Sequence, residues 1–318
     1  MMYRLYKNDC VQNNRQCASL SKYKQVFYRS FNLRFKQPKK DTCNKCDTFR
    51  VQLEAASKKT GTNDQDDFKK LEEQRSDHQK KAQAARESLQ SDRQMAKESL
   101  TTDVITFDLQ SVFSTPRLSS NVVYYKRQLS VYNLGIHDCS NETAHMHVWD
   151  ETIASRGAQE IASCLRKYLA SNGHQGSKTY LILWSDSCGG QNRNIKVALR
   201  LLELVQDPSV SYNIITQKFL ESGHSFLPND SDFGDIEKRL KHHSEVYVPQ
   251  QYYDVIREAR SSSKPFKVIE MTQDDFFSTA MLEKATVNNN NNNNNPICKA
   301  PECQKTSVAL VDRNSRAN

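Results

Sequence analysis

The sequence lacks any apolar run that approaches the roughly 18–20 residues of a membrane-spanning helix. Its first residues, MMYRLYKNDC, lack the apolar core of a secretory signal peptide. Both absences predict an intracellular protein with no membrane partner. In such a protein, nine cysteines are more typical of thiols or metal ligands than of disulfides.

Apolar residues are also scarce, and charge of one sign is in excess. Hydrophobic residues make up 37% of the chain, which is low for a compact globule, so some segments are expected to be solvated. The 45 lysines and arginines exceed the 37 aspartates and glutamates, which gives a formal charge of +8. This moderate excess fits a polyanionic partner such as nucleic acid.

Changes in composition predict three segments. The first, 1–100, is basic and carries a CxxC pair followed by a charged helical hairpin or stalk. The second, 101–285, is the folded core with a C-terminal extension. The third, 286–318, contains the asparagine run 288–295, which cannot bury apolar surface, and is expected to be a disordered tail.

Within the core, residues 101–245 predict the element order β-β-β-α-β-α-β-α. Three strands in hairpin connection, followed by alternating helices and strands, indicate a mixed sheet with helices on its faces. This is the element order of the ribonuclease H-like fold, which hosts nucleases, DDE transposases and retroviral-type integrases. We therefore predict an α/β fold of the ribonuclease H-like type, preceded by a helical segment.

Carboxylates fall where that architecture needs them. Asp108 lies within the predicted first strand, and Asp186 ends the predicted fourth strand. An acid inside an apolar strand is costly unless it is paired or metal-bound. The start of the last helix offers a third ligand from four acids, which are Asp230, Asp232, Asp235 and Glu237. Three acids at one sheet edge would hold two Mg²⁺ or Mn²⁺ ions for phosphoryl transfer; the alternative is that Asp186 caps a turn and Asp108 lies on an edge strand.

Six segments carry a family resemblance: KKDTCNKCD, DLQSVFSTP, YYKRQLSVYNLGIHD, RGAQEIASCL, LILWSDSCGGQNRN and KFLESGHSFLPNDSDFGDIEK. They resemble an uncharacterised, transposon-derived domain family with a ribonuclease H-like core, which is multiplied in insect and other invertebrate genomes. The last segment is also similar to the GH-S/T-x-N-E-x-D-x-x-x-x-x-I-E pattern of other transposon-derived proteins. That pattern implies Asp230 as the third acid and Glu237 as the second choice, although Leu227 and Pro228 stand where it has Asn and Glu.

The resemblance implies a DDE-type strand-transfer or nuclease origin with DNA as partner. A nuclear location follows from that substrate, with slight support from the basic KQPKK segment, and the cytoplasm is the alternative. The competing hypothesis is a catalytically inactive, domesticated or decayed copy that binds nucleic acid or protein. No helix-turn-helix or C₂H₂ pattern precedes the core, so we expect a target-reading domain to lie outside this sequence. Whether the chain forms a homo-oligomer stays open.

Cys43 and Cys46 are spaced so that both thiolates can reach one tetrahedral zinc ion. His78 projects from the same face of the long helix as its small residues and can pack back onto the CxxC loop. Cys10 or Cys17 can supply a fourth ligand. The combination predicts a structural zinc site; the alternative is a pair of free thiols and a surface histidine.

Further polar residues stay open between a functional and a structural role. His224, in the loop that carries the acids, can orient a water or leaving oxygen in catalysis, or only hydrogen-bond the loop. Four residues are candidates for contact with the phosphates of a nucleic acid, namely Arg193, Asn194, Lys238 and Arg239. For the last two, a solvated helix face is the alternative.

Overall fold

The structure is a computed structural model that describes residues 2–30, 42–57, 62–118, 126–172, 178–260, 264–284 and 309–312. The chain divides into two compact units, Met1–Thr42 and Cys43–Asn318. The boundary predicted at residue 100 is therefore wrong, because the CxxC segment and the helices that follow it belong to the same unit as the sheet. The asparagine run 288–295 lies outside the described residues.

The first unit contains two helices, α1 (Met2–Gln12) and α2 (Leu20–Ser30). The rings of Tyr3, Tyr6 and Tyr23 pack together with centroids 5.0–6.0 Å apart. Aromatic packing therefore joins the two helices and accounts for part of the aromatic content of this basic segment.

The second unit is an α/β structure. Its helices are α3 (Asn44–Ala56), α4 (Thr62–Glu98), α5 (Ala158–Asn172), α6 (Ile195–Gln206), α7 (Pro228–Leu240) and α8 (Pro249–Glu258). Its strands are β1 (Thr102–Leu109), β2 (Phe113–Thr115), β3 (Leu129–Asp138), β4 (Thr143–Asp150), β5 (Tyr180–Ser185), β6 (Ile214–Phe219), β7 (Lys267–Glu270) and β8 (Ala309–Asp312). The element order predicted for residues 101–245 is the order found, with the short β2 added. Within the described residues, no helix is both long and apolar enough to cross a membrane.

All of these strands belong to one mixed sheet, in the order β7-β4-β3-β1-β5-β6-β8, with β2 paired to β3. The β1–β3 and β3–β4 pairs are antiparallel, whereas β5 runs parallel to β1 and β6 parallel to β5. The predicted α/β class with a mixed sheet is thus confirmed. β1 occupies an interior position because it is apolar on both faces, with Ile105 and Phe107 buried on one and Val104 on the other.

Helices cover both faces of the sheet. On one face, α5 and α6 pack over Ile105 and Phe107 in the largest cluster of buried apolar side chains. On the opposite face, α7 and α8 cover the antiparallel strands β3 and β4, while α4 packs on β1 and β5. Successive residues of a strand alternate between faces, so Thr106 and Asp108 lie on the same face as Val104, the face of α4 and α7.

The long helix α4 docks on the sheet through a narrow stripe. The stripe consists of the small apolar residues Ala85 and Ala96 with Leu89 between them. Beside it, the Asp92 carboxylate accepts hydrogen bonds from Trp184 Nε1 at 2.8 Å and from Lys218 Nζ at 2.7 Å. The predicted stalk is therefore wrong for the C-terminal half of α4, which is part of the core.

The C-terminal tail contributes one strand. β8 pairs antiparallel with β6, with Ala309 opposite Gln217 and Asp312 opposite Ile214. The prediction of a disordered tail is therefore wrong for Ala309–Asp312. The physical reason is that β6 would otherwise leave backbone N–H and C=O groups unpaired along the edge of the sheet.

Gly135 of β3 lies under α7, and a Cβ atom there would be 2.8 Å from Phe233 Cε1 and 3.2 Å from Asn229 Nδ2. We predict that Gly135→Ala lowers the free energy of unfolding by about 1–3 kcal/mol, the usual cost of overpacking a filled interior. Urea unfolding measures the change. Gly234→Ala is the matched control, because nothing lies within 4 Å of its Cβ position and alanine inside α7 should raise stability by up to about 1 kcal/mol. Equal unfolding midpoints for the two variants would contradict this packing.

Candidate metal centres

Asp108 and Asp186 lie at the ends of neighbouring parallel strands. Thr106 of β1 pairs with Trp184 of β5, and extending this register by two residues sets Asp108 beside Asp186. Adjacent strands are about 4.8 Å apart. Both acids share the face of α4 and α7, because Trp184 packs against α4 and Thr106 contacts α7. The acids predicted on the first and fourth strands are therefore neighbours.

Hydrogen bonds hold each of these two carboxylates through one oxygen. Asp108 Oδ1 accepts from the Leu109 N–H at 2.8 Å. Asp186 Oδ1 accepts from the Cys188 N–H at 3.2 Å and from the side-chain amide of Asn192 at 2.5 Å. Within the described part of the chain, Oδ2 of each acid has no hydrogen bond, which leaves one oxygen of each carboxylate available to a cation. Asn192 is fully buried, and no role was predicted for it from the sequence.

A third carboxylate, Asp230, comes from the first turn of α7 and is exposed. The preceding residue, Asn229, is fully buried and holds α7 on the sheet. It accepts a hydrogen bond from Thr106 Oγ1 at 2.6 Å and donates one to the Gly135 carbonyl at 2.9 Å. Because Gly135 pairs with Asp108 across the strands, Asn229 places Asp230 next to the acid pair.

The other acids of the predicted cluster have different surroundings. Asp232 and Asp235 both form ion pairs with Arg260, at 2.7 and 2.8 Å, so their carboxylates already have a charged protein partner. Glu237 is exposed and lies two helical turns beyond Asp230, roughly 10 Å further along α7. Of the two candidates for the third acid, Asp230 is therefore the better placed.

Burial and, second, repulsion by the Asp186 carboxylate raise the pKa of Asp108 to about 7. The charge of Asp230 acts in the same direction, whereas the Leu109 N–H and the charge of Arg156 oppose the rise in this pKa. The three acids are therefore close enough for their charges to interact. Like charges gathered in a partly buried site repel one another and favour a bound cation.

A second group of ligands combines two cysteines with two histidines, which are Cys43, Cys46, His78 and His224. One ligand atom from each lies within 4.8 Å of the others. Cys43 Sγ is 3.2 Å from His78 Nε2, Cys46 Sγ is 3.3 Å from His224 Nε2, and the two Nε2 atoms are 3.2 Å apart. Ligand atoms around a tetrahedral zinc ion are about 3.3–3.8 Å apart, given bonds of about 2.0–2.3 Å, so this arrangement fits one such ion.

Three of these four residues were predicted as ligands, and the structure brings them together. The fourth is His224, not Cys10 or Cys17. Its neighbours are Cys46 and His78, so it joins the cysteine centre instead of serving the carboxylates. The Gly-His pair of the loop was a visible signal, but 146 positions separate His78 from His224, and only the fold brings them together.

Surrounding contacts keep these ligands in place. Glu221 Oε1 lies 3.4 Å from His78 Nδ1, the nitrogen that keeps its proton when Nε2 binds a metal. Gly223 has a φ of +78°, and a Cβ atom there would lie 2.7 Å from Cys43 Cα, so only glycine fits. Burial first, and nearby positive charge second, lower the pKa of His224, which keeps the ring neutral and able to bind a cation.

Most of the predicted phosphate contacts already have protein partners. Asn194 caps α6, and Lys238 and Arg239 form ion pairs with acids. Arg193 is exposed, with its guanidinium 5.9 Å from the ring centroid of Phe219, and it has no ion pair among the described residues. Arg156 is exposed as well, and its charge reaches Asp108. Arg156 begins the RGAQEIASCL segment, but no phosphate contact was predicted for it from the sequence.

Comparison with known proteins does not assign either centre: no family model, curated protein or solved structure matches this chain. The acid centre is open, with one carboxylate exposed, and its donors are oxygen atoms only. The cysteine and histidine centre offers four protein donors, two thiols and two imidazoles, within 4.8 Å of one another. The two centres therefore suit different classes of metal ion.

The raised pKa of Asp108 predicts a pH dependence of stability. Its folded-state pKa of about 7 lies above the value of about 3.9 expected in an unfolded chain, so the folded state binds this proton more tightly. The contribution of this proton to the free energy of unfolding is fully present at low pH. It is lost as the pH rises through the folded-state pKa of Asp108. We expect a loss of about 3 kcal/mol between pH 5 and pH 8.

Urea unfolding of wild type and Asp108→Asn, with no divalent cation added, checks this expectation. The variant should be more stable than wild type at pH 8, and the difference should shrink at pH 5. Asp254→Asn, which removes an exposed acid of α8, should follow wild type. A difference between wild type and Asp108→Asn that does not change with pH would contradict the buried, repelled state of Asp108.

Proposed function

We propose that this chain carries a ribonuclease H-like core of DDE-transposase origin, and that it cuts or joins DNA by metal-dependent phosphoryl transfer. The sheet supports the fold. β3 and β4 extend it on one side of β1 as antiparallel strands, and β5 and β6 extend it on the other side as parallel strands. The family resemblance of the sequence motifs leads to the same class.

The observation that carries the activity is the charge coupling of three carboxylates from separate elements. Asp108 comes from β1, Asp186 follows β5 and Asp230 begins α7, yet the charges of the last two raise the pKa of the first. The edge-strand alternative for Asp108 fails, because β1 lies between β3 and β5. Asp186 does cap its turn, but that role uses only Oδ1.

In this proposal Asp108, Asp186 and Asp230 hold two Mg²⁺ or Mn²⁺ ions, which stabilise the attacking and leaving oxygens of a displacement at phosphorus when they are bound. The chain orients these acids before any cation arrives. The buried amide of Asn192 fixes the Asp186 carboxylate. Asp108 must release its proton when a cation binds near neutral pH, because its pKa is about 7. Cation affinity should therefore rise with pH across this range.

The DNA partner is proposed from charge. Arg156 is close enough to Asp108 for its charge to act on the pKa of that acid. Arg193 follows Asp186 closely in the sequence. Both arginines are exposed, and neither forms an ion pair among the described residues. Exposed guanidinium groups beside an acid centre suit the phosphates that flank a scissile bond. A nuclear location follows from a DNA substrate and belongs to the same proposal.

Asp186→Asn tests the acid centre. We expect Mn²⁺ affinity to fall by at least about 10-fold, and cleavage of nicked or branched DNA to fall by at least about 100-fold. Mutation of residues that only hydrogen-bond to metal ligands lowers metal affinity or activity by about 10–100-fold, and loss of a direct ligand should cost more. Electron paramagnetic resonance of free Mn²⁺ gives the first quantity, and a gel assay the second.

Two variants sharpen this experiment. Asp254→Asn on α8 is the control and should keep both properties. Glu237→Gln separates the two candidates for the third acid, because it should be neutral if Asp230 is the ligand. Cleavage that survives Asp186→Asn would overturn the proposed activity. DNA binding by wild type with neither cleavage nor Mn²⁺ binding would favour the inactive binding module instead.

We also propose that the Cys43, Cys46, His78 and His224 centre holds one structural zinc ion. Purified protein should contain about one zinc per chain, and Cys43→Ser should reduce the zinc content to near zero, because three donors bind zinc far less tightly than four. Atomic emission spectrometry measures the content. Cys17→Ser is the matched control and should keep the zinc. Loss of zinc from Cys17→Ser, with retention in Cys43→Ser, would contradict this ligand set.

A further inference from the structure

One loop joins the two centres. It runs from the end of β6 to the start of α7, contains His224, and is followed by Asp230 in the first helical turn. A ligand of the cysteine and histidine centre therefore lies only six residues before the third acid. A change in the position of His224 can therefore reach Asp230 through a short stretch of backbone.

The loop is attached to α3 and α4 at successive points. His224 enters the cysteine and histidine centre, and Gly223 packs directly on Cys43. Leu227 is buried in the apolar cluster that contains the α4 stripe. The N–H of Leu227 then donates to Asp230 Oδ2 at 2.9 Å. The residue that docks the end of the loop on α4 is therefore also the one that orients the third carboxylate.

The body of α7 has anchors of its own. Asn229 bonds to β1 and β3, and Asp232 is buried with His137 Nδ1 2.7 Å away and Arg260 2.7 Å away. These contacts do not involve the cysteines or His224. Without a metal ion, α7 should therefore stay on the sheet, and the change should be confined to the loop and to the Leu227 N–H that holds Asp230.

We propose that the Cys43, Cys46, His78 and His224 centre is a clamp that fixes the β6–α7 loop when it holds zinc and so orients the Asp230 carboxylate for the cations of the acid centre. This inference rests on the proposed function, because it requires Asp230 to be a cation ligand. Occupancy of the cysteine and histidine centre then raises the affinity of the acid centre for Mg²⁺ or Mn²⁺, and the coupling is reciprocal.

Cys46→Ser tests the clamp with Mn²⁺ as the probe. Cys46 belongs to α3, far along the chain from the acids, so its effect on them must pass through the metal centre. We expect the variant to lose zinc, to keep the circular dichroism of wild type, and to bind Mn²⁺ at least about 10-fold more weakly, the cost of losing a contact that orients a metal ligand. Hydrogen exchange should quicken at the amides of residues 220–227 but not in β3. Cys17→Ser should match wild type in every measurement.

The outcomes separate the clamp from the acid centre. Zinc-free Cys46→Ser with wild-type Mn²⁺ affinity would overturn the clamp and leave the acid centre standing. Wild type with no Mn²⁺ binding that depends on Asp186 would overturn the proposed activity, and the clamp with it. If Cys46→Ser fails to fold, the pair His224→Ala and His224→Cys answers the same question: only the cysteine variant should keep zinc and Mn²⁺ binding, and equal Mn²⁺ affinities for the two would overturn the clamp.

Discussion

A carboxylate in an interior strand of the sheet is the constraint on which the rest of the site depends. Burial of Asp108 beside Asp186 raises its pKa to about 7, so the folded chain accepts either a proton or a nearby cation at this position. A buried carboxylate that is repelled by its neighbour keeps its place only if the strand that carries it is fixed on both sides. β1 is fixed in this way, because it is hydrogen-bonded to β3 on one side and to β5 on the other. The same strand pairing that fixes the core therefore brings the like charges together, and a bound cation relieves the repulsion between them.

The attachment of α4 shows what a metal ion at the cysteine and histidine centre would add to the stability of the fold. Its contact stripe consists of two alanines and one leucine, which bury little apolar surface for a helix of 37 residues. At about 25 cal/mol per Å² of buried apolar area, such a stripe contributes only a few kcal/mol. The bonds of Asp92 to Trp184 and Lys218 add a polar attachment near one end. A metal ion bound by His78 and the loop would attach the helix further back, where the apolar contacts are few.

Local patterns were sufficient to predict the parts of the fold that depend on neighbours in sequence. The β-branched runs and helical spacings predicted the order of elements over residues 101–245, and Asp108 and Asp186 fell at matching ends of β1 and β5.

The features that the sequence did not predict all depend on residues distant in sequence. The domain boundary was misplaced because α4 is charged along most of its length and docks through few small residues. His224 was missed as a member of the cysteine cluster because its partners lie in α3 and α4. Asn192 and Asn229 lie in segments that carry the family resemblance, but no role was predicted for them, because only the fold shows that their buried amides hold Asp186 and the start of α7.

The chemistry of the donors keeps the two centres distinct. Carboxylate oxygens suit hard cations such as Mg²⁺ and Mn²⁺, whereas two thiolates and two imidazoles suit zinc. With zinc bound as proposed, the cysteine and histidine set would supply all four ligands from protein atoms and would leave no position for a substrate. The acid set does the opposite, because Asp108 and Asp186 each keep one carboxylate oxygen without a protein hydrogen bond among the described residues. In the proposed arrangement, a closed centre that fixes the loop and an open acid centre beside that loop would occupy one unit without competing for the same ion.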